Sequence, residues 1–497
     1  MVLILDILRS YSFKTDSKIN FKCEFRRLFP VLCCYLIPVS FGMMLGWPSL
    51  AYPYLLNSNP TSPIPITLDQ TSLIAGFLME GNSIGTLFST ITFLRPKASI
   101  FICFCLQFFG WCVMFGANDI FGLLIARSSV GFANGFGLGQ IRRYVFDHFD
   151  EETGKNLLQW LNIGVNIGVL GVYSFGGWVS FRVMALGGLI VPFLGCLCFG
   201  LSASSEIRHP PKPQINNNKG SIPISVISKN FDSEINSNQN QSVTPEQVNV
   251  FKCLKNQKSR NSLILLLLII FTQQYTGGPA NIVYSQIIFR STGNPHPKIC
   301  SVIYAVAFLI STLISTKLVK LVPRKPNLLV SCLTTAVTLS LIALYFHLKF
   351  ELLEINEHFV WAPLFILILF NFFHTLGLGT LPFTIIDEKT PKNGKMVARK
   401  FQVIHFSMSA VISTKIFQVL FDRFDMAIAY GFFVGVALFG VVMTLIFMNN
   451  YEPSEELQRI EEYERKCEEN EKKSGGGGEN EKIEGIIVEK TEHITRL

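Results

Sequence analysis

Charge is what this sequence has least of. Asp, Glu, Lys and Arg make up 16% of its 497 residues, against the quarter or so usual in soluble domains. Catalytic patterns are missing too. No Ser-His-Asp set, HExxH run or pair of catalytic carboxylates stands at a workable spacing, so an enzyme is not expected. The twelve cysteines show no spacing typical of a zinc, redox or disulfide framework. Most lie in apolar runs, where they serve as small hydrophobic residues. Met1–Ser10 makes a poor signal peptide, because Asp6 interrupts it and a basic stretch follows. Gly131, Gly135, Gly137 and Gly139 follow no strand, so they form neither a phosphate loop nor a dinucleotide fingerprint, and no cofactor or metal is expected.

Apolar residues are present in excess. The hydrophobic share is 49%, mean hydropathy is +0.38, and Phe alone occurs 44 times. Twelve stretches carry this mass: Phe29–Trp47, Ser72–Phe93, Ser99–Phe115, Ile120–Ile141, Leu157–Trp178, Val183–Leu201, Ser262–Ile287, Cys300–Thr316, Leu328–Phe346, Phe359–Phe383, Phe401–Phe421 and Met426–Met448. Each approaches the length of about twenty residues with which a helix crosses a ~30 Å hydrocarbon core. They are continuous, unlike the short alternating segments of a β-barrel. The expectation is an all-α membrane protein of twelve transmembrane helices.

The formal charge of +8 is spread over loops and suggests no nucleic-acid partner. Lys and Arg fall in alternate loops, as the positive-inside rule requires. Six precede the first span, none lies from Leu50 to Thr71, and eight lie from Arg208 to Arg260. Both termini are therefore expected in the cytoplasm, with the chain in the cell membrane. The segment from Ser205 to Arg260 is rich in Asn, Ser, Gln, Lys and Pro and cannot bury a core. It divides the spans six and six. The expected parts are a tail (1–28), a six-helix bundle (29–203), a cytosolic loop (204–260), a second six-helix bundle (261–448) and a charged tail (449–497). That tail, acidic and basic by turns to Lys473, offers a surface to a cytosolic partner.

Polar residues within spans are costly and usually face a bundle interior. In the fifth span Gln159, Asn162 and Asn166 make an amide stripe at helical spacing, suited equally to a hydroxyl-rich neutral ligand or to joining helices. In the seventh, Gln273-Gln274-Tyr275-Thr276-Gly277-Gly278-Pro279-Ala280-Asn281 places two glycines and a proline in mid-membrane. Proline removes a backbone donor, so the helix is weak there and is read as a gate or a static kink. On a continuous helix Gln274, Gly278, Asn281 and Ser285 would share one face. Glu80 in the second span is a candidate proton site, and His374 and His405 read as packed polar residues.

Several further runs are distinctive: Gly46-Trp47-Pro48-Ser49, Arg127 with Gly131 and Gly135, Tyr144 with Asp147, and Gly377-Leu-Gly379-Thr-Leu-Pro382-Phe383. With the seventh-span run they resemble the sugar-porter branch of the major facilitator superfamily, of the insect facilitated trehalose transporter type, over nearly all of residues 29–460. The resemblance implies two six-helix bundles with a sugar site between them. It implies sugar contacts at Asn162, Gln273, Gln274, Asn281, Tyr284 and Phe383, with Pro279 at a family Asn position and Phe383 at a Trp position. It also implies a charge network governing conformation, drawn from Arg127, Asp147, Arg324, Glu388 and Lys395. The family's charged loop motifs are reduced here to Leu94-Arg95-Pro96-Lys97 and to Lys320 through Lys325. Three functions fit: facilitative transport of a sugar or similar neutral solute, a transport-inactive sensor or partner-binding protein, and proton-coupled transport of another solute.

Overall fold

The computed structural model describes residues 21–56, 64–91, 94–149, 151–204, 257–319, 322–352, 357–382, 384–385 and 395–448. The expected central loop, the charged tail, Phe383 and Glu388 lie outside or almost wholly outside these. The described residues are helical, with one isolated bridge between Leu56 and Ile66. Among the described residues, ten helical stretches are long and apolar enough to cross a membrane. The other two expected spans are helical as well. Leu68–Ile91 carries Asp69 and Glu80, and the seventh span is broken into Gln257–Tyr275, Gly278–Val283 and Ser285–Ser291. The chain is a multi-pass membrane protein of twelve spans in two bundles.

The two halves repeat one packing scheme. The first span packs on the fifth and the seventh on the eleventh; the second on the fourth and the eighth on the tenth; the third on the sixth and the ninth on the twelfth. Between halves, the second span meets the eleventh and the fifth meets the eighth. These two crossings exchange places when the halves are exchanged.

Within the first half, backbone meets backbone. A Cβ at Gly131 or Gly135 would collide with the Leu78 or Asn82 carbonyl of the second span, and one at Gly81 or Gly85 with the Ser128 or Phe132 carbonyl of the fourth. In lipid, where apolar surface alone gives helices no reason to associate, such close approach supplies the packing that joins them.

The weak point of the seventh span is a true break. Its first helix ends at Tyr275, and Gly277 takes φ 87°, a left-handed conformation that glycine alone adopts freely. Pro279 then sits in the first turn of the next helix, where a missing N–H costs nothing. The tenth span is irregular too: Ala362–His374 runs into a π-turn over Thr375–Gly379. Ser331 and the Asn327 carbonyl lie too close to Gly377 for any Cβ.

Candidate functional site

Helix ends and π-turns leave carbonyls without regular partners. Here side chains from neighbouring spans take them up. Ser413 of the eleventh span donates to the Gln274 carbonyl at 2.8 Å. His374 Nε2 of the tenth lies 3.2 Å from the Gln273 carbonyl and 3.1 Å from Thr276 Oγ1. Around the π-turn, Ser331 donates to the Phe373 carbonyl at 2.8 Å, Ser315 to that of Thr375 at 2.8 Å and Asn327 to that of Leu376 at 3.2 Å. Gln273 closes the set, its Nε2 donating to the Gly379 carbonyl at 3.2 Å. The two irregular spans are thus pinned to each other.

Gln273 and Gln274 are both buried, yet the Oε1 of each accepts no hydrogen bond. A buried acceptor without a donor costs about 1–3 kcal/mol. Two on consecutive residues at a helix break mark a place where a ligand's hydroxyls or water complete the structure.

The other expected contacts are placed differently. Asn162 is exposed, as is Gln159, from which it is separated by an interruption at Trp160. Asn166 is buried and donates to Thr312 Oγ1 of the eighth span at 2.6 Å, so this amide joins the halves. Asn281 turns into its own bundle, where Tyr430 of the last span donates to its Oδ1 at 2.9 Å. Ser285, one turn on, instead faces the first span. The break at Gly277 and a second interruption at Tyr284 therefore divide the single face drawn through Gln274, Gly278, Asn281 and Ser285. Tyr284 is buried between the rings of Tyr52 and Phe417, at centroid distances of 5.9 and 5.5 Å, and bonds Thr71 Oγ1 at 3.0 Å.

These last residues belong to a layer that closes the inter-bundle space at the end bearing the 56–66 connection. Its centre is a chain of donors. Gln286 N–H donates to Ser49 Oγ at 3.1 Å, Ser49 pairs with Ser285 Oγ at 2.6 Å, Ser285 donates to Tyr173 Oη at 3.0 Å, and Tyr173 donates to the Ile282 carbonyl at 2.6 Å. Since the last acceptor is a carbonyl and the first donor an amide, the hydroxyl protons all run one way, and the chain crosses between bundles four times. At its edge Lys415 pairs with Asp69. Deeper in, Asn134 donates to Asn82 at 2.9 Å and Asn82 to Ser407 at 3.0 Å, linking the fourth, second and eleventh spans.

Of the expected charge network, Glu388 lies outside the described residues, and Arg127 stands apart from Asp147. Arg127 and Asp147 lie on one helix, Ile120–His148, where twenty residues separate them by about 30 Å. Arg127 is fully buried and donates to the Met44 carbonyl at 2.8 Å and the Ala75 carbonyl at 3.4 Å, whereas Asp147 is exposed. One cluster cannot hold both. Arg324 donates to the Val319 carbonyl, and Lys395 begins the eleventh span's helix. Glu80 is half-buried and bonds no described side chain. By helical spacing it shares a face with Leu73, Ile84 and Leu87, all exposed. It therefore points away from the space between bundles.

Sequence reasoning passed over Thr71, Tyr173, Thr312, Ser407 and Ser413. Hydroxyls in spans give little signal, because most can satisfy themselves on their own helix. Ser83 does so on Met79 and Thr86 on Asn82.

The chain is similar to known proteins. The profile of the sugar (and other) transporter family matches residues 214–462. The chain is 22% identical over 437 residues to the facilitated trehalose transporter Tret1 of Apis mellifera ligustica, covering 86% of each chain. It is 26% identical over 471 residues to the sugar transporter ERD6-like 11 of Arabidopsis thaliana, covering 92% of this chain and 95% of that one. Among solved structures, a D-xylose-proton symporter superposes with TM-score 0.64 at 14% identity, covering 85% of this chain and 97% of the other. At that identity the likeness concerns the fold.

Proposed function

The chain belongs to the sugar (and other) transporter family, and from that premise we propose that it carries a sugar, a hexose or a trehalose-like disaccharide, or a similar neutral polar solute by facilitated alternating access. The uncommitted Oε1 atoms of Gln273 and Gln274, buried at the break of the seventh span, carry this reading. Neutral carboxamide oxygens suit hydroxyl donors. Asn162 would reach the solute from the fifth span, and Phe383 from the tenth. Asn281 and Tyr284, committed elsewhere in this conformer, would contribute when the bundles re-orient.

The layer built on Ser49, Ser285 and Tyr173 closes one side. The distribution of Lys and Arg supports reading that side as the outer one, with both termini, residues 204–260 and the tail 449–497 in the cytoplasm and the protein in the plasma membrane. The charged tail there would offer a cytosolic partner its mixed charges. Of the charge network, Asp147, Arg324, Glu388 and Lys395 remain candidates for the cytoplasmic side, and Arg127 serves the bundle interior instead.

Purified protein in liposomes decides the matter. Saturable uptake of labelled glucose or trehalose, weakened by Gln274→Ala, supports the reading. Saturable uptake indifferent to both Gln273→Ala and Gln274→Ala would remove the site. Binding of either sugar without flux would identify a sensor instead.

A further inference from the structure

His374 has no role in the reading above beyond its place, yet its ring is committed by geometry. Nε2 faces two oxygens, the Gln273 carbonyl and Thr276 Oγ1. The carbonyl accepts only. The Thr276 hydroxyl directs its own proton to that same carbonyl, at 3.0 Å, which leaves its oxygen an acceptor toward the ring. Both neighbours therefore require a proton on Nε2, and the imidazole makes one forked donation into the break of the seventh span. The ring stacks on Phe370 at a centroid distance of 5.2 Å, and its Cε1 lies 3.5 Å from where a Cβ on Gly278 would stand. The imidazole is thus a wedge, backed by the tenth span and inserted where the seventh restarts.

The residue whose carbonyl it holds is Gln273, and the Gln273 carboxamide reaches back to the Gly379 carbonyl of the tenth span. Main chain and side chain of one glutamine are tied to two turns of one neighbour. With Nε2 of the amide engaged, its Oε1 is fixed in the direction left over. We propose that His374 is a positioning residue for solute binding: its Nε2–H clasps the broken end of the seventh span to the tenth and thereby aims the free oxygen of Gln273. This rests on the assignment of Gln273 to the solute site. It adds that the seventh and tenth spans move as one body at this point, since a gate opening at Gly277 alone would have to release the clasp.

The test compares His374→Phe, which keeps the ring and its stacking but has no N–H, with His374→Gln, whose amide nitrogen reaches the place of Nε2. Uptake of labelled glucose and trehalose is measured in proteoliposomes for each, alone and combined with Gln273→Ala. Loss of one such hydrogen bond corresponds to about a fivefold to tenfold change. His374→Phe should raise KM by about that factor with turnover changed much less, the mark of a lost ground-state contact. His374→Gln should recover most of it, and on the Gln273→Ala background His374→Phe should add little.

An unchanged KM for His374→Phe while Gln273→Ala raises it, or additive effects, would overturn the proposal. An unchanged KM for Gln273→Ala would instead sink the site assignment. Hydrogen exchange at residues 276–283, read without any sugar, keeps the clasp testable even if neither sugar is moved or His374→Phe is recovered in small amounts. Exchange faster than in the parent for His374→Phe and near the parent for His374→Gln supports it, and equal exchange in all three refutes it.

Discussion

Removing one oxygen at Tyr173 should open the side of the protein that the structure shows closed. The hydroxyl accepts from Ser285 and donates to the Ile282 carbonyl, and both partners belong to the other bundle. Tyr173→Phe keeps the buried ring, so the first bundle loses no packing. What is lost is two neutral hydrogen bonds, each worth about 0.5–1.5 kcal/mol net. The loss falls on the closed conformer alone, because with the bundles apart these groups meet water. A change of about 1–3 kcal/mol moves such an equilibrium about 5- to 150-fold. The readout is a single cysteine at Leu55, a position buried in the closed layer, in a background without other reactive cysteines. A membrane-impermeant maleimide should label it at least about fivefold faster in Tyr173→Phe, following the same two-bond estimate. Ser174→Ala is the control, because Ser174 is exposed and bonds only the Leu170 carbonyl of its own helix. Equal labelling of Tyr173→Phe and parent would show that the hydroxyl chain does not hold this side shut.

Gly135→Leu should leave little monodisperse protein after detergent extraction, with a lowered melting temperature for what remains. The side chain would have to occupy the space of the Asn82 carbonyl, and overpacking of that kind costs about 1–3 kcal/mol or more. Glu80→Gln should leave uptake and its response to a pH gradient within about twofold of the parent, since the side chain faces away from the solute path and no partner depends on its charge. A pH-driven flux abolished by that change would restore the proton-coupled reading.

The spans were legible because hydrophobic length is read directly from composition, and even the second and seventh, weakened by Glu80 or by glycines and proline, stood out between their loops. The break at Gly277 was legible as well, since Gly-Gly-Pro defeats a helix wherever it occurs. What was hidden is direction. Amides at Asn162, Asn166 and Asn281 look alike in sequence, yet one is exposed, one bridges the halves and one turns to Tyr430. A broken helix resets its own phase, so helical spacing could not carry a face from Gln274 to Ser285. Glu80 shows the opposite: an intramembrane acid is expected to point inward, yet the apolar Leu73, Ile84 and Leu87 at its own spacing are exposed and mark the outer face.

The same residues suggest how this chain manages with so few loop charges. The two crossings between halves are each bridged by an amide on the first half and a hydroxyl on the second: Asn82 with Ser407, and Asn166 with Thr312. The closing layer adds Ser49, Ser285, Tyr173, Thr71 and Tyr284, all neutral. Between described residues one ion pair, Asp69–Lys415, joins the halves, and both side chains are well exposed. Exposed pairs contribute about 0–1 kcal/mol and are screened over a Debye length of about 10 Å at 0.1 M salt. Closure on this side should therefore depend little on ionic strength. Labelling of the cysteine at Leu55 should change by no more than about fivefold between low and high salt, a bound set by losing at most one such pair. Replacing Lys415 by Met should produce a shift no larger, while Tyr173→Phe exceeds it at every salt concentration. A steep salt dependence that vanishes with Lys415→Met would mean that the ion pair, rather than the hydroxyl chain, keeps the two bundles together.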